Sequence, residues 1–226
     1  MIEGPKKTPY EDGIFLFDLQ LESEYPKSPP LCHYIRYCSD RLNPNLYEDG
    51  NVCVSLLGTW SGRDTETWSA NSTILQLIVS IQGLILVDEP YFNEPGYEKQ
   101  KDTQNGKENS RMYNEMVIIK LIQATNELLQ NPPEVFDKEI LNHFKKKGLK
   151  MYERMKNWIE YSIKAKAEKM ENALEPTETS EQTVNINLPE FPLMPVSRGF
   201  CLSLDGLLEN FKQELNSLNN AETADA

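Results

Sequence analysis

The chain has 226 residues, 39% apolar and 26% charged, with a formal net charge of −12. That suits one ordinary domain with residues to spare, or two small ones, and it argues against nucleic acid as the main partner. No apolar run approaches the ~18 residues of a membrane span, and MIEGPKKTPYEDG lacks the core of a signal peptide, so no membrane partner is expected and the cytosol or nucleus is the expected compartment. The charge is uneven: residues 138–172 carry 10 basic and 5 acidic side chains, which reads either as a phosphate-binding helix or as a solvated helix face.

In chain order, GIFLFDLQL (13–21) alternates as a strand with one face well buried. The three prolines of EYPKSPP (24–30) make a bend, and LCHYIRYC (31–38) is a second strand, so the two form an antiparallel meander. Residues 39–70 hold little regular structure but are too rich in Trp, Leu and Val to be disordered, and loops of that kind are usually functional. STILQLIVSIQGLILVDEP (72–90) reads as a helix capped by Ser72 or Thr73 and ended at Asp88-Glu89-Pro90, with Val79 and Leu86 widening its apolar stripe. A second helix spans 108–130. A third starts after Pro133, is interrupted at Gly148 and continues over 149–171. From Glu175 the Glu/Thr/Pro-rich composition reads as a disordered linker. LSLDGLLENFKQELNSL (202–218) can form a short amphipathic helix that docks back or meets a partner. Strands first and helices after give an α+β fold with helices packed on one face of an antiparallel sheet.

The chemistry centres on NPNLYEDGNVCV (43–54). Cys53 reads either as a small buried hydrophobe or as a nucleophile. The other thiols, Cys32 and Cys38 in the second strand and Cys201 in the tail, show no pairing pattern. Without a CxxC spacing, and with His33 and His143 far from any Cys cluster, no structural zinc site is expected. A cysteine hydrolase needs a histidine base. His33 in mid-strand reads as a core residue and His143 as part of a polar helix face, so that class is poorly supported. Thioester exchange needs no such base: the protein has only to place the sulfur, stabilise an oxyanion and desolvate an incoming amine. Glu48 and Asp49 close to the sulfur suggest a thiol that is slow toward generic alkylating agents.

Several stretches in order resemble the catalytic domain of ubiquitin-conjugating (E2) enzymes. PYEDGIFLFDLQLESEYPKSPP is similar to that family's strand and Tyr-Pro-x-x-Pro-Pro turn. NPN with Cys53 eight residues on is similar to its His-Pro-Asn and active-site cysteine. Trp68-Ser69, the next helix and an acidic Pro-containing loop come in the same order. The resemblance covers about residues 2–165. Asn43 in place of the family's His, the long SLLGTWSGRDTETWS segment and GLILVDEPYFNEPG narrow it toward the E2 O type, a large hybrid of conjugating enzyme and ligase.

The resemblance implies a ubiquitin-conjugating fold: a four-strand-type meander, its first strand largely missing and its first helix absent, with helices on one face. It implies that Cys53 carries ubiquitin as a thioester and passes it to a substrate lysine. By position, Asn45 matches the oxyanion or loop asparagine, Glu94 loosely matches an acidic residue that orients the acceptor lysine, and Asn43 stands where the family has His. The implied partners are ubiquitin, its activating enzyme, protein substrates, and a ligase or ligase modules of a longer form. No cofactor or metal is implied, since ATP is used by the activating enzyme. The implied layout is a core over 1–165, a helix end and acidic linker over 166–201, and a short C-terminal helix over 202–220. A catalytically inert scaffold of the same fold, holding ubiquitin or a ligase, is the alternative.

Overall fold

The computed structural model describes residues 1–59, 66–174 and 188–224. Strands β1 (Ile2–Glu3), β2 (Ile14–Gln20) and β3 (Leu31–Ile35) form one antiparallel sheet in the order β1-β2-β3. Phe17 pairs with Tyr34 in the β2–β3 register, and Ile2 pairs with Phe15 between β1 and β2. Phe15, Leu16 and Tyr34 enter the core, while Asp18, Gln20 and His33 face outward. His33 is therefore not a core histidine. The next hairpin continues the sheet: Tyr34 N donates to Gly50 O at 2.8 Å, and His33 bridges Asn51. Gly50 has φ +86°, and a Cβ there would sit 2.0 Å from the His33 ring, so the turn requires glycine twice over.

The helix expected over 72–90 ends early. Helix α1 (Ile74–Ser80) is capped by Thr73 in a reciprocal box with Gln76, then widens into a π-type turn, Ile81–Ile85. Its end is set from outside the helix. Asn43 Nδ2 donates to the Ile85 carbonyl at 2.6 Å and Asn93 Nδ2 donates to the Leu84 carbonyl at 3.0 Å, so helix-type partners are replaced by side-chain amides. Leu77, Ile81, Ile85 and Leu86 are buried, but Val79 is exposed along with Leu75 and Leu84, so the stripe is narrower than its composition suggests.

Helix α2 (Gln104–Gln130) starts four residues before the expected 108, because the Thr103 hydroxyl accepts from Gly106 N at 2.9 Å and caps an extra turn. Helix α3 (Asp137–Leu174) runs through Gly148 without a break. A Cβ at Gly148 would lie 2.4 Å from Leu215, so this glycine admits a neighbouring helix rather than ending its own. The basic side chains of α3 divide: Lys138, Lys146, Lys150, Lys164 and Lys166 are exposed, as a solvated face requires, while others pair with the N-terminal segment. Arg154 bonds Asp12 at 2.7 Å and Glu11 at 3.3 Å, Lys147 pairs with Glu3, and His143 Nε2 contacts the Asp12 carbonyl at 2.8 Å.

The segment 166–201, expected as a helix end and then a disordered linker, departs from that reading from residue 188 onward. Residues 168–174 are still α3, and 175–187 lie outside the described residues. From 188 onward the chain is a packed strap. Phe191, Leu193 and Val196 are buried, and the Phe191 ring meets Trp158 edge-on at 5.8 Å. Arg111 Nη1 donates to Pro195 O at 2.8 Å and also pairs with Glu115. Asn114 Nδ2 donates to both Pro192 O (2.8 Å) and Asp88 O (3.0 Å). The Glu115 carboxylate accepts from Ser197 N and Oγ, both at 2.7 Å, and Ser197 Oγ in turn accepts from Phe200 N. Helix α4 (Arg198–Ala224) begins there, longer than the expected 202–220. It docks on α2 and α3 through Leu204, Leu208, Phe211 and Leu215, a spacing of one helical face. No helix among the described residues is long and apolar enough to cross a membrane.

Candidate active site

Residues 43–53 form a small hairpin that sets the site. Leu46 bridges Val52, Tyr47 N donates to Asn51 O at 2.9 Å, and Cys53 N donates to Asn45 O at 2.9 Å. Leu46 and Val52 both point into the core. Strand side chains alternate, so Asn45, Tyr47, Asn51 and Cys53 share the opposite face. Cys53 is half-buried and lies at the head of an open groove of about 1250 Å³. The far wall of the groove is apolar, with Leu75, Val79 and Leu84 each more than half exposed.

Beyond the cysteine the chain is pinned by Thr59. Its hydroxyl donates to Val52 O at 2.7 Å and accepts from Val54 N at 3.1 Å. Trp68 anchors the return path, with Nε1 donating to Pro26 O at 2.8 Å and its ring 6.1 Å from Tyr25. Trp60 and Asp64 lie outside the described residues.

The candidate residues separate into two groups. Asn43 is fully buried and structural. Its Nδ2 reaches the Tyr10 hydroxyl (2.9 Å) as well as Ile85 O, its Oδ1 accepts from Asn45 N (2.8 Å), and Tyr10 OH donates onward to Leu42 O (3.0 Å). Burial holds the Tyr10 phenol well above its ordinary range, so it stays a donor. Asn45 makes the loop contact, one of the two roles expected for it. Its Nδ2 donates to the carbonyl of Cys53 itself at 2.8 Å, while its Oδ1 is buried without a partner among the described residues. In this arrangement its amide holds the backbone of Cys53.

Cys53 and Glu94 belong to the second group. Glu94 is half-buried, comes directly after the short turn Pro90–Asn93, and lines a hollow of about 550 Å³ with Arg41, Tyr91, Tyr97 and Tyr113. Its charge reaches the phenols of Tyr47 and Tyr113. The Arg41 guanidinium lies 4.2 Å above the Tyr47 ring, on the same hairpin face as Cys53.

The other thiols are ill suited to covalent work. Burial pushes Cys32 up to about 12 and also raises Cys38 and Cys201, so these three stay protonated. His33 lies against Gly50 and His143 bonds Asp12, so both imidazoles have structural neighbours. Sequence reasoning does not single out Tyr47 or Thr59. Tyr47 is within its reach, because alternation across an Asp49-Gly50 turn puts it on the cysteine's face. Thr59 gives no such signal, since its partners depend on how the loop folds back.

Residues 1–121 match the family model described as ubiquitin-conjugating enzyme. The chain is 48% identical over 149 residues to "Probable ubiquitin-conjugating enzyme E2 23" of Arabidopsis thaliana, covering 66% of this chain and 13% of that protein. It is 44% identical over 163 residues to "Probable ubiquitin-conjugating enzyme protein 17" of Caenorhabditis elegans, covering 71% of this chain and 22% of the relative. It is also 44% identical over 163 residues to the "Dual E2 ubiquitin-conjugating enzyme/E3 ubiquitin-protein ligase BIRC6" of Homo sapiens, covering 70% of this chain and 3% of the relative. The chain spans less than a quarter of the length of each of these relatives.

Proposed function

The chain belongs to the ubiquitin-conjugating enzyme family, and from that premise we propose that it accepts ubiquitin as a thioester on Cys53 and transfers it to substrate lysine. The observation that carries this reading is the half-buried Cys53 at the head of the groove, while burial keeps the other three thiols protonated. In the first step the Cys53 sulfur attacks the carbonyl carbon of the thioester on the activating enzyme, whose sulfur leaves as a thiolate. In the second, a lysine amine attacks the new thioester, the carbon–sulfur bond breaks with its electron pair on Cys53, and the amine proton passes to water. Sulfur is a good leaving group in both directions, so the chemistry needs placement and charge stabilisation and no metal or organic cofactor of the chain's own. ATP enters at the activating enzyme.

The implied partners are ubiquitin, its activating enzyme, a ligase and lysine-bearing proteins. Cytosol and nucleus are the compartments that fit. The similarity to a protein named as a dual conjugating enzyme and ligase supports placing the chain with the large hybrids, the E2 O type among them. Within the site we assign Asn43 and Asn45 to holding the cysteine loop, and Glu94 to orienting the acceptor amine.

Incubation with activating enzyme, ATP and ubiquitin tests the reading. The expected product is an adduct cleaved by thiol reductant. In Cys53→Ser it becomes an ester that resists reductant and yields to alkali. Absence of any adduct on the intact chain would favour the inert scaffold that binds ubiquitin without charging.

A further inference from the structure

We infer that the hollow beside the Cys53 groove receives one arginine side chain of a protein substrate, so that a lysine with an arginine near it in sequence is the favoured acceptor. The inference rests on the proposed thioester reading and deepens one part of it: Glu94 orients the acceptor amine by holding the acceptor's neighbour. It starts from a shared wall. Pro44 and Glu94 line the hollow, whereas their chain neighbours Asn45, Asn93 and Pro95 line the groove that Cys53 heads. An extended chain advances about 3.3 Å per residue. A segment lying across that wall therefore puts a lysine in the groove and a residue a few positions away in the hollow.

The hollow is lined by two carboxylates and two cations, and three of these four are engaged. Lys120 pairs with Asp40. The Arg41 guanidinium lies 4.2 Å over the Tyr47 ring and donates to the Pro44 carbonyl. Glu94 is half-buried, and its side chain has no ion pair or hydrogen bond among the described residues. A charge partly withdrawn from water calls for a counter-ion, and here that is a cation. Much of the remaining lining is aromatic. The Tyr91 and Tyr97 rings lie 4.8 Å apart, and Tyr113 stands 6.1 Å from Tyr91. The Tyr91 hydroxyl accepts from Asn109 at 3.1 Å, and Tyr97 is 37% exposed, which leaves ring surface for a ligand. Burial holds the Tyr113 phenol above its ordinary range, so it adds no negative charge of its own. Ring faces attract cations, and a guanidinium is suited twice over: its plane stacks on a ring while its edge meets a carboxylate in two parallel hydrogen bonds. Arg41 is the one opposing charge without a carboxylate partner, and it lies over Tyr47.

Binding is tested first on the full chain without ubiquitin. The tyrosine ring signals are followed by NMR as N-acetyl-arginine methylamide is added, and again with its citrulline counterpart, which keeps the shape and loses the charge. The arginine compound is expected to shift Tyr91, Tyr97 and Tyr113 and the citrulline compound to leave them in place, with the arginine shifts lost in Glu94→Gln. Equal shifts with both compounds, or none with either, overturn the inference.

Acceptor choice is tested next. The preformed thioester is discharged to peptides that carry one lysine and, one to four residues away on either side, an arginine or a citrulline. At the best spacing arginine is expected to quicken discharge about fivefold over citrulline, the scale of one exposed charge pair with a ring contact. Tyr97→Ala should bring that ratio close to one. The ratio is read within each variant, so a general loss of activity does not imitate the result. A ratio of one at every spacing in the wild type, or a ratio unchanged in Tyr97→Ala, overturns the inference. Failure of the wild-type chain to charge would count against the proposed function and leave the binding arm to decide this one.

Discussion

Asn43 shows how one side chain can fix a site without touching the chemistry. It ties the cysteine hairpin to the end of α1 and to Tyr10, with no exposed surface of its own. Asn43→Ala leaves a buried hydroxyl, a carbonyl and an N–H short of partners, so it should cost about 3 kcal/mol of unfolding free energy, measured by urea denaturation. Near neutral pH, limiting iodoacetamide should label Cys53 ahead of Cys32, Cys38 and Cys201. Burial raises those three, so their thiolates accumulate only as the solution becomes alkaline; peptide mapping gives the order. At this scale the motif residues can be read from the sequence, but the direction of a donor cannot. Asn45 stands at the address its motif implies, but that its amide bonds the Cys53 carbonyl depends on the local backbone path.

Among the elements, α1 and α3 depart furthest from what their patterns imply, and for opposite reasons. The end of α1 is set by two asparagines 42 and 9 residues away in sequence, which no local signal announces. In α3 a glycine that reads as a breaker is a contact point for Leu215. The strands, the Thr73 cap and the core stripes of α2 and α4 are legible, because they derive from periodicity and capping alone. Phe211 sits at the centre of the α4 face, edge-on to Phe144 at 6.1 Å. Phe211→Ala should destabilise the fold by about 3–5 kcal/mol, lowering the thermal midpoint. The α3–α4 seam also carries Lys156, bonded to Asp205 at 2.7 Å and Glu209 at 3.2 Å. The hydrogen bond to Asp205 leads in raising the Lys156 ammonium above its ordinary value. Its contribution is then complete below the ordinary lysine range and fades as pH rises through the raised value. Thermal midpoints of the wild type and Lys156→Met should differ near neutrality and converge as the solution becomes alkaline enough to deprotonate Lys156 in the folded state.

Across the molecule, the body matched by the family model stops at residue 121, yet α3, the strap and α4 pack onto it as one continuous core. A Glu/Thr/Pro-rich stretch reads as solvent-loving, and composition hides the three buried anchors Phe191, Leu193 and Val196 inside it. One amide makes the continuity matter. Asn114 holds the strap at Pro192 and the stretch leading to Glu94 at Asp88, with a single nitrogen shared between them. Removing residues 188–226 should therefore quicken deuterium uptake over 88–97 as well as at the uncovered helices. A molecule that gripped the outside of α4 and eased the strap away would slacken the far side of the Cys53 groove without approaching it. The strap and α4 thus offer a remote handle on the shape of that groove.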